Sequence, residues 1–188
     1  MNHKFPLLLA ATLLGAALQF GPVIQTATAK ELTAKDCPMG FGATTPQEIT
    51  QLACERQTSA DRKTYNFIGT WFWDEGASFG RLYYKPIKSF QVWRQAPNIS
   101  KKDVYIWPDF ENIKEESMQE IACDGYKCYS FLFPEAKSSC LWFYRDLVSG
   151  KQASSATDIV TGFACTKEKD KTYSPAEAMA ILRKIKTK

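Results

Sequence analysis

Histidine is all but missing from this chain of 188 residues: the single one is His3. No later residue can supply an imidazole. Ser-His-Asp and Cys-His nucleophiles, histidine zinc sites and histidine acid/base chemistry are therefore excluded from the body of the chain. Enzymes built on carboxylates or on a Ser-Lys pair stay open. A thioredoxin-like C-x-x-C, a cofactor fingerprint, an internal repeat and a low-complexity tract are also missing, so no cofactor is expected and solenoids drop out. "DFENIKEE" (residues 109–116) lacks the ligand rhythm and central glycine of a calcium loop. With 24 Lys and Arg against 20 Asp and Glu, the positive excess is small. Much of it sits at Lys184, Lys186 and Lys188, too little to argue for nucleic acid as a partner.

What is present begins with an export signal. Lys4 precedes the apolar run "FPLLLAATLLGAALQF", and "ATA" at Ala27–Ala29 supplies the small-residue pattern for cleavage before Lys30. Gln19 and Pro22 interrupt the run, which is short for a bilayer span. The expected organisation is a signal peptide over 1–29 and a single exported domain over 30–188. No transmembrane segment is expected after cleavage. The Ala/Leu-rich leader favours a bacterial source and a periplasmic or secreted location.

Six cysteines follow: Cys37, Cys54, Cys123, Cys128, Cys140 and Cys165. In an oxidising compartment an even number reads as disulfides, and the spacings lack the close pairs of a zinc site, so no metal is expected. Six cysteines allow 15 pairings, which local geometry ranks. A turn at Gly125-Tyr126 in "CDGYKC" would set Cys123 opposite Cys128. Folding "CLWFYRDLV" onto "DIVTGFAC" across a polar loop brings Cys140 opposite Cys165. Cys37 then closes onto Cys54.

Two stretches carry helix starts. Thr45, Pro46 and Glu48 form a cap, a first helical position and a box partner ahead of Ile49, Leu52 and Ala53. Ser174, Pro175 and Glu177 repeat this grammar ahead of Ala178, Ile181, Leu182 and Ile185. Between them, segments near 65–73, 79–87, 90–95, 103–107, 118–123, 126–133, 140–148 and 158–166 are dense in strand formers. The residues at 108–117 read as a loop or a short helix begun at Pro108. The expected fold class is α+β: an antiparallel, strongly curved or barrel-like sheet with an N-terminal and a C-terminal flanking helix, stapled by disulfides.

"GTWFW" at Gly69 to Trp73 resembles the Gly-x-Trp signature on the first strand of lipocalins. That resemblance implies an eight-stranded barrel carrying a small apolar ligand, with Trp71 plugging the barrel floor. Independently of it, both faces of the strand through Trp73 are apolar or aromatic, and one face could serve as a binding platform. Trp71, Trp73, Trp93 and Trp107 are the candidate binding residues. The carboxylates available for acid/base work are Asp74, Glu75, Asp109, Glu111, Glu115 and Glu116. No catalytic residue is assigned. The expected function is an exported, non-catalytic binding protein, its partner an envelope polymer, a protein or a small apolar ligand. A lipocalin-like carrier and a histidine-free carboxylate hydrolase are the alternatives.

Overall fold

A computed structural model describes residues 26–41, 49–59, 65–73, 78–86, 99–147, 158–167 and 170–187. Eight strands form one antiparallel sheet: β1 (Thr26–Glu31), β3 (Ile49–Ser59), β4 (Tyr65–Trp73), β5 (Ser78–Pro86), β6 (Gln119–Cys123), β7 (Tyr126–Phe133), β8 (Ser138–Leu147) and β9 (Asp158–Lys167). Their order across the sheet is β1-β3-β4-β5-β9-β8-β7-β6. Two meanders thus meet where β9 pairs with β5. β1 and β6 are the two edges, so the sheet is open and the expected barrel closure is not formed. Among the described residues the sheet thus does not form the closed eight-stranded barrel that the Gly-x-Trp resemblance implies.

The runs "CLWFY" and "DIVTGFAC" show why the sheet packs on both sides. In β8, Leu141 and Phe143 point to one face while Cys140 and Trp142 point to the other, and all four are buried. A strand that alternates apolar with apolar must be covered twice. One cover is the helix α1 (Pro175–Leu182), accompanied by the short pair β2 (Met39–Phe41) and β10 (Ile185–Thr187). Ala178, Leu182 and Met39 join Leu82, Leu141 and Phe143 in that core. The other cover is the segment 99–118, wound into three short 3-10 turns, which seats Val104, Trp107, Phe110 and Met118 against Phe131, Trp142 and Phe163.

Local chemistry accounts for α1. Ser174 accepts from the Glu177 amide while the Glu177 carboxylate accepts from the Ser174 amide, and Pro175 occupies the first helical position. The helix is shorter than its expected apolar face, however. Arg183 and Lys184 turn, and Ile185 pairs with Phe41 as a strand residue. Replacing Leu182, 2 % exposed, with alanine is expected to lower stability by about 2–5 kcal/mol. Lys186→Glu on the exposed side should shift the urea midpoint little. A parental midpoint for Leu182→Ala would show that α1 does not cover this face.

Other expectations are corrected. Ile49, Leu52 and Ala53 lie on β3, not on a helix, because β3 pairs with β1 on one side and β4 on the other. The proposed cap at Thr45 and Glu48 lies outside the described residues, as does the expected strand at 90–95. The segment expected as a strand at 103–107 is instead the 3-10 helix Lys101–Ile106, started by a capping box between Ser100 and Asp103. The β1 strand straddles the expected cleavage point, so a cut before Lys30 would leave it only Lys30 and Glu31.

All six cysteines are paired: Cys37–Cys54, Cys123–Cys128 and Cys140–Cys165. Cys140 and Cys165 are direct partners across β8 and β9. The hairpin register at the first of the three clustered cysteines differs from the expected one. The turn is Asp124-Gly125, with Gly125 at φ 70°, a left-handed value that favours glycine. Cys123 therefore faces Tyr126, and Cys128 faces Ile121. The offset is two residues, which keeps both sulfurs on one face and lets the bridge run diagonally over a Cα separation of 6.2 Å.

Candidate functional site

Tryptophan does not supply the platform in the described part of the chain. Trp71 is 1 % exposed and lies back along its own strand over Gly69: a Cβ built there would stand 2.0 Å from the ring. Trp107 is equally buried and meets the Phe163 ring edge-on at 5.1 Å. Both are core residues that tie a covering layer to the sheet. The side chain of Trp73 and all of Trp93 lie outside the described residues. Trp142, not singled out from sequence, is fully buried and stacked on Tyr129.

The carboxylates do not converge where they are described. Asp109 forms an ion pair with Arg81 at 3.2 Å. Glu111 and Glu116 are exposed, Glu115 is half-buried, and Asp74 and Glu75 lie outside the described residues. The buried phenols are no better suited to proton transfer. Burial pushes Tyr83 up to about 12, and burial together with the Asp158 carboxylate pushes Tyr84 up to about 12. Both stay neutral near pH 7, so neither acts as a base there.

A groove of about 620 Å³ opens beside the edge strand β6. The groove is wide open to solvent; its apolar lining includes Ile121 and Leu132, and Thr172, Tyr173 and Pro175 flank them. Leu132 is 40 % exposed, one of two large apolar side chains left so accessible among the described residues; Ile106 is the other. Facing pairs explain the position: Gln119 stands opposite Ser130, and Leu132 lies two residues further along β7, past the end of β6. Nothing in β6 therefore covers Leu132.

Buried hydroxyls hold the flank of the groove. The Tyr173 amide donates to Ser130 Oγ at 2.6 Å, and its hydroxyl shares a proton with Thr166 Oγ1 at 2.6 Å. Ser78 donates to the same Thr166 oxygen at 3.0 Å. Thr172 donates to Gln119 Oε1 at 3.2 Å, closing one wall. These bonds fix the extended approach to the Ser174 cap, so the groove is held in shape by the sheet beneath it. The lining has an apolar floor with hydroxyl and amide groups and the charged side chains of Asp170 and Lys171 around it, which suits recognition of an apolar side chain flanked by polar or charged groups.

Sequence reasoning could not find this groove. Residues 119–121, 132 and 172–175 meet only through strand pairing and the position of α1. The one local signal is Leu132, an apolar residue whose alternation in β7 places it beyond the covered stretch. Compared with known proteins, the chain matches no family model, no curated protein and no solved structure.

Proposed function

We propose that this is an exported, non-catalytic binding protein of a bacterial envelope or secretion, and that the groove beside β6 receives an apolar side chain of a partner protein. The observation that carries the reading is the half-exposed Leu132 on the floor of a groove whose flank is anchored by buried hydrogen bonds. A groove whose backbone is already fixed loses little conformational entropy when it is filled, and covering an aliphatic side chain there contributes at most about 1.5–3 kcal/mol, the value for full burial. Export is supported by the leader and by three disulfides, which persist outside reducing compartments.

The test places a photo-crosslinking amino acid at Leu132 and, separately, at Ile106 in secreting cells. The expected result is one discrete protein adduct from position 132 only, abolished when Ile121 is also changed to lysine. The adduct should be recovered with chain that begins at Lys30 and lies outside the cytoplasm. Equal adducts from both positions, or none from 132, would count against the groove. Recovery of the chain in the cytoplasm would count against export.

A further inference from the structure

Main-chain hydrogen bonds on β7 alternate between its two neighbours, and one residue is left over. The two-residue turn at Asp124-Gly125 makes Cys123 and Tyr126 a mutually bonded pair, so Ile121 bonds with Cys128 and Gln119 with Ser130 in the same way. The residues between them on β7, Phe131 and Phe133 included, bond instead across β8, to Cys140 and Ser138. Leu132 therefore turns its own N–H and C=O to the β6 side. The residue in register to meet them is Ser117, two before Gln119, and it winds away into a 3-10 turn. Its amide donates to the Lys114 carbonyl at 3.0 Å, and its hydroxyl donates to the same oxygen at 2.7 Å. Among the described residues the Leu132 main chain has no bonded partner on that side.

The unpaired donor and acceptor belong to the same residue as the exposed side chain on the groove floor. Whatever covers Leu132 also takes water from both groups, and a buried amide or carbonyl without a partner is costly. A purely apolar ligand would cover the side chain and leave both groups unpaired. An extended peptide carries an acceptor and a donor at the spacing a strand neighbour needs. The side chain of the residue that pairs with Leu132 would point to the same face as Leu132, into the groove. The charged groups on the rim are one of each sign, Asp170 and Lys171, so the lining has no net charge to select an anion or a cation. On the premise that the groove receives an apolar side chain of a partner protein, we propose that the occupant is an extended segment of that partner, running antiparallel to β7 and forming a β-bridge with Leu132. Its C=O accepts from the Leu132 amide and its N–H donates to the Leu132 carbonyl, in the register that Ser117 does not fill.

Hydrogen exchange followed by NMR on the disulfide-bonded protein gives the first test. The Leu132 amide should exchange about tenfold or more faster than the Phe131 and Phe133 amides, which the ladder to β8 protects. A Leu132 amide as slow as its neighbours overturns the proposal. The binding probe is a fluorescein-labelled, C-terminally amidated Thr-Val-Thr-Val-Thr peptide. It is compared with the same peptide N-methylated at both valines, which keeps the side chains and removes the donors. The unmodified peptide should slow the Leu132 amide and bind about fivefold tighter than the methylated one. Protein carrying leucic acid at position 132 has an ester in place of that amide and the same side chain. It should melt close to the parent, because the lost N–H has no partner in the free protein, and bind the unmodified peptide about fivefold more weakly. Equal binding of both peptides, binding of neither, or parental affinity in the ester protein overturns the β-bridge and leaves the photo-crosslink from position 132 to decide the groove. Binding of the unmodified peptide that survives Ile121→Lys would overturn the groove as its seat.

Discussion

Replacing Phe163 with alanine is expected to lower the stability of the domain by about 3–5 kcal/mol. Phe163 is 1 % exposed, and its ring is met edge-on by Phe79 at 6.1 Å, Trp107 at 5.1 Å and Phe110 at 4.8 Å. Two of those neighbours belong to the 3-10 segment, so Phe163 is the peg on which that whole layer sits. Truncation would remove the aromatic contacts and leave a void that the bridged strands on either side cannot close: Cys140–Cys165 fixes β8 to β9 nearby. Phe110→Ala should cost a similar amount, since its ring also meets Phe131 and Phe133. The double variant should cost less than the sum, because the two rings share a contact. Urea unfolding followed by circular dichroism measures all three. A Phe163→Ala variant within about 1 kcal/mol of the parent would mean that the 3-10 layer is not docked on the sheet.

The parts of this fold that could be read from sequence are those written in short-range chemistry. The Ser174-Pro175-Glu177 start was legible because a capping box needs only four consecutive residues. Strands β4 to β9 were legible because their β-branched and aromatic runs leave no helical alternative. β3 was not, for an identifiable reason: its register to β4 shifts between Gln51 and Ala53, and a bulge there breaks the period of two. What remained was a short apolar spacing that happens to suit a helix. Val104, Tyr105 and Ile106 are strand formers by propensity, yet they wind into a 3-10 turn. Tyr105 donates to the Ile113 carbonyl at 2.6 Å, and Val104 is fully buried against the sheet. Tertiary contact overrides propensity there. The Asp124-Gly125 turn is not legible from the cysteines, because a bridge does not require them to face each other: a diagonal pair on one face satisfies it equally well. The groove is long-range: it needs residues 119, 132 and 173 together, so it leaves no contiguous trace.

The Gly-x-Trp pair is open to a decisive cycle. Gly69→Ala alone should be strongly destabilising, because the new Cβ would stand 2.0 Å from the Trp71 ring and between 2.6 and 2.7 Å from two further ring carbons. Trp71 is 1 % exposed in the core beside β2, where a Cβ built on Gly40 would stand 4.0 Å from its indole nitrogen, so the ring is packed on that side as well. Overpacking of this kind costs about 1–3 kcal/mol or more. Trp71→Ala alone should cost about 3–5 kcal/mol, through the void left between the sheet and the short β2–β10 pair. In the Trp71→Ala background the clash is gone. Gly69→Ala should there become neutral or mildly stabilising, since alanine loses less backbone entropy than glycine in a strand. The coupling is therefore of opposite sign to the single effect and large enough to measure by chemical denaturation. Additive costs would mean that Trp71 does not lie on Gly69. The predicted sign change would identify the motif as a local packing device: the indole covers the bare backbone of the residue two before it. Any sheet whose strand must pass close beneath a large ring could use that device, whether or not it closes into a barrel.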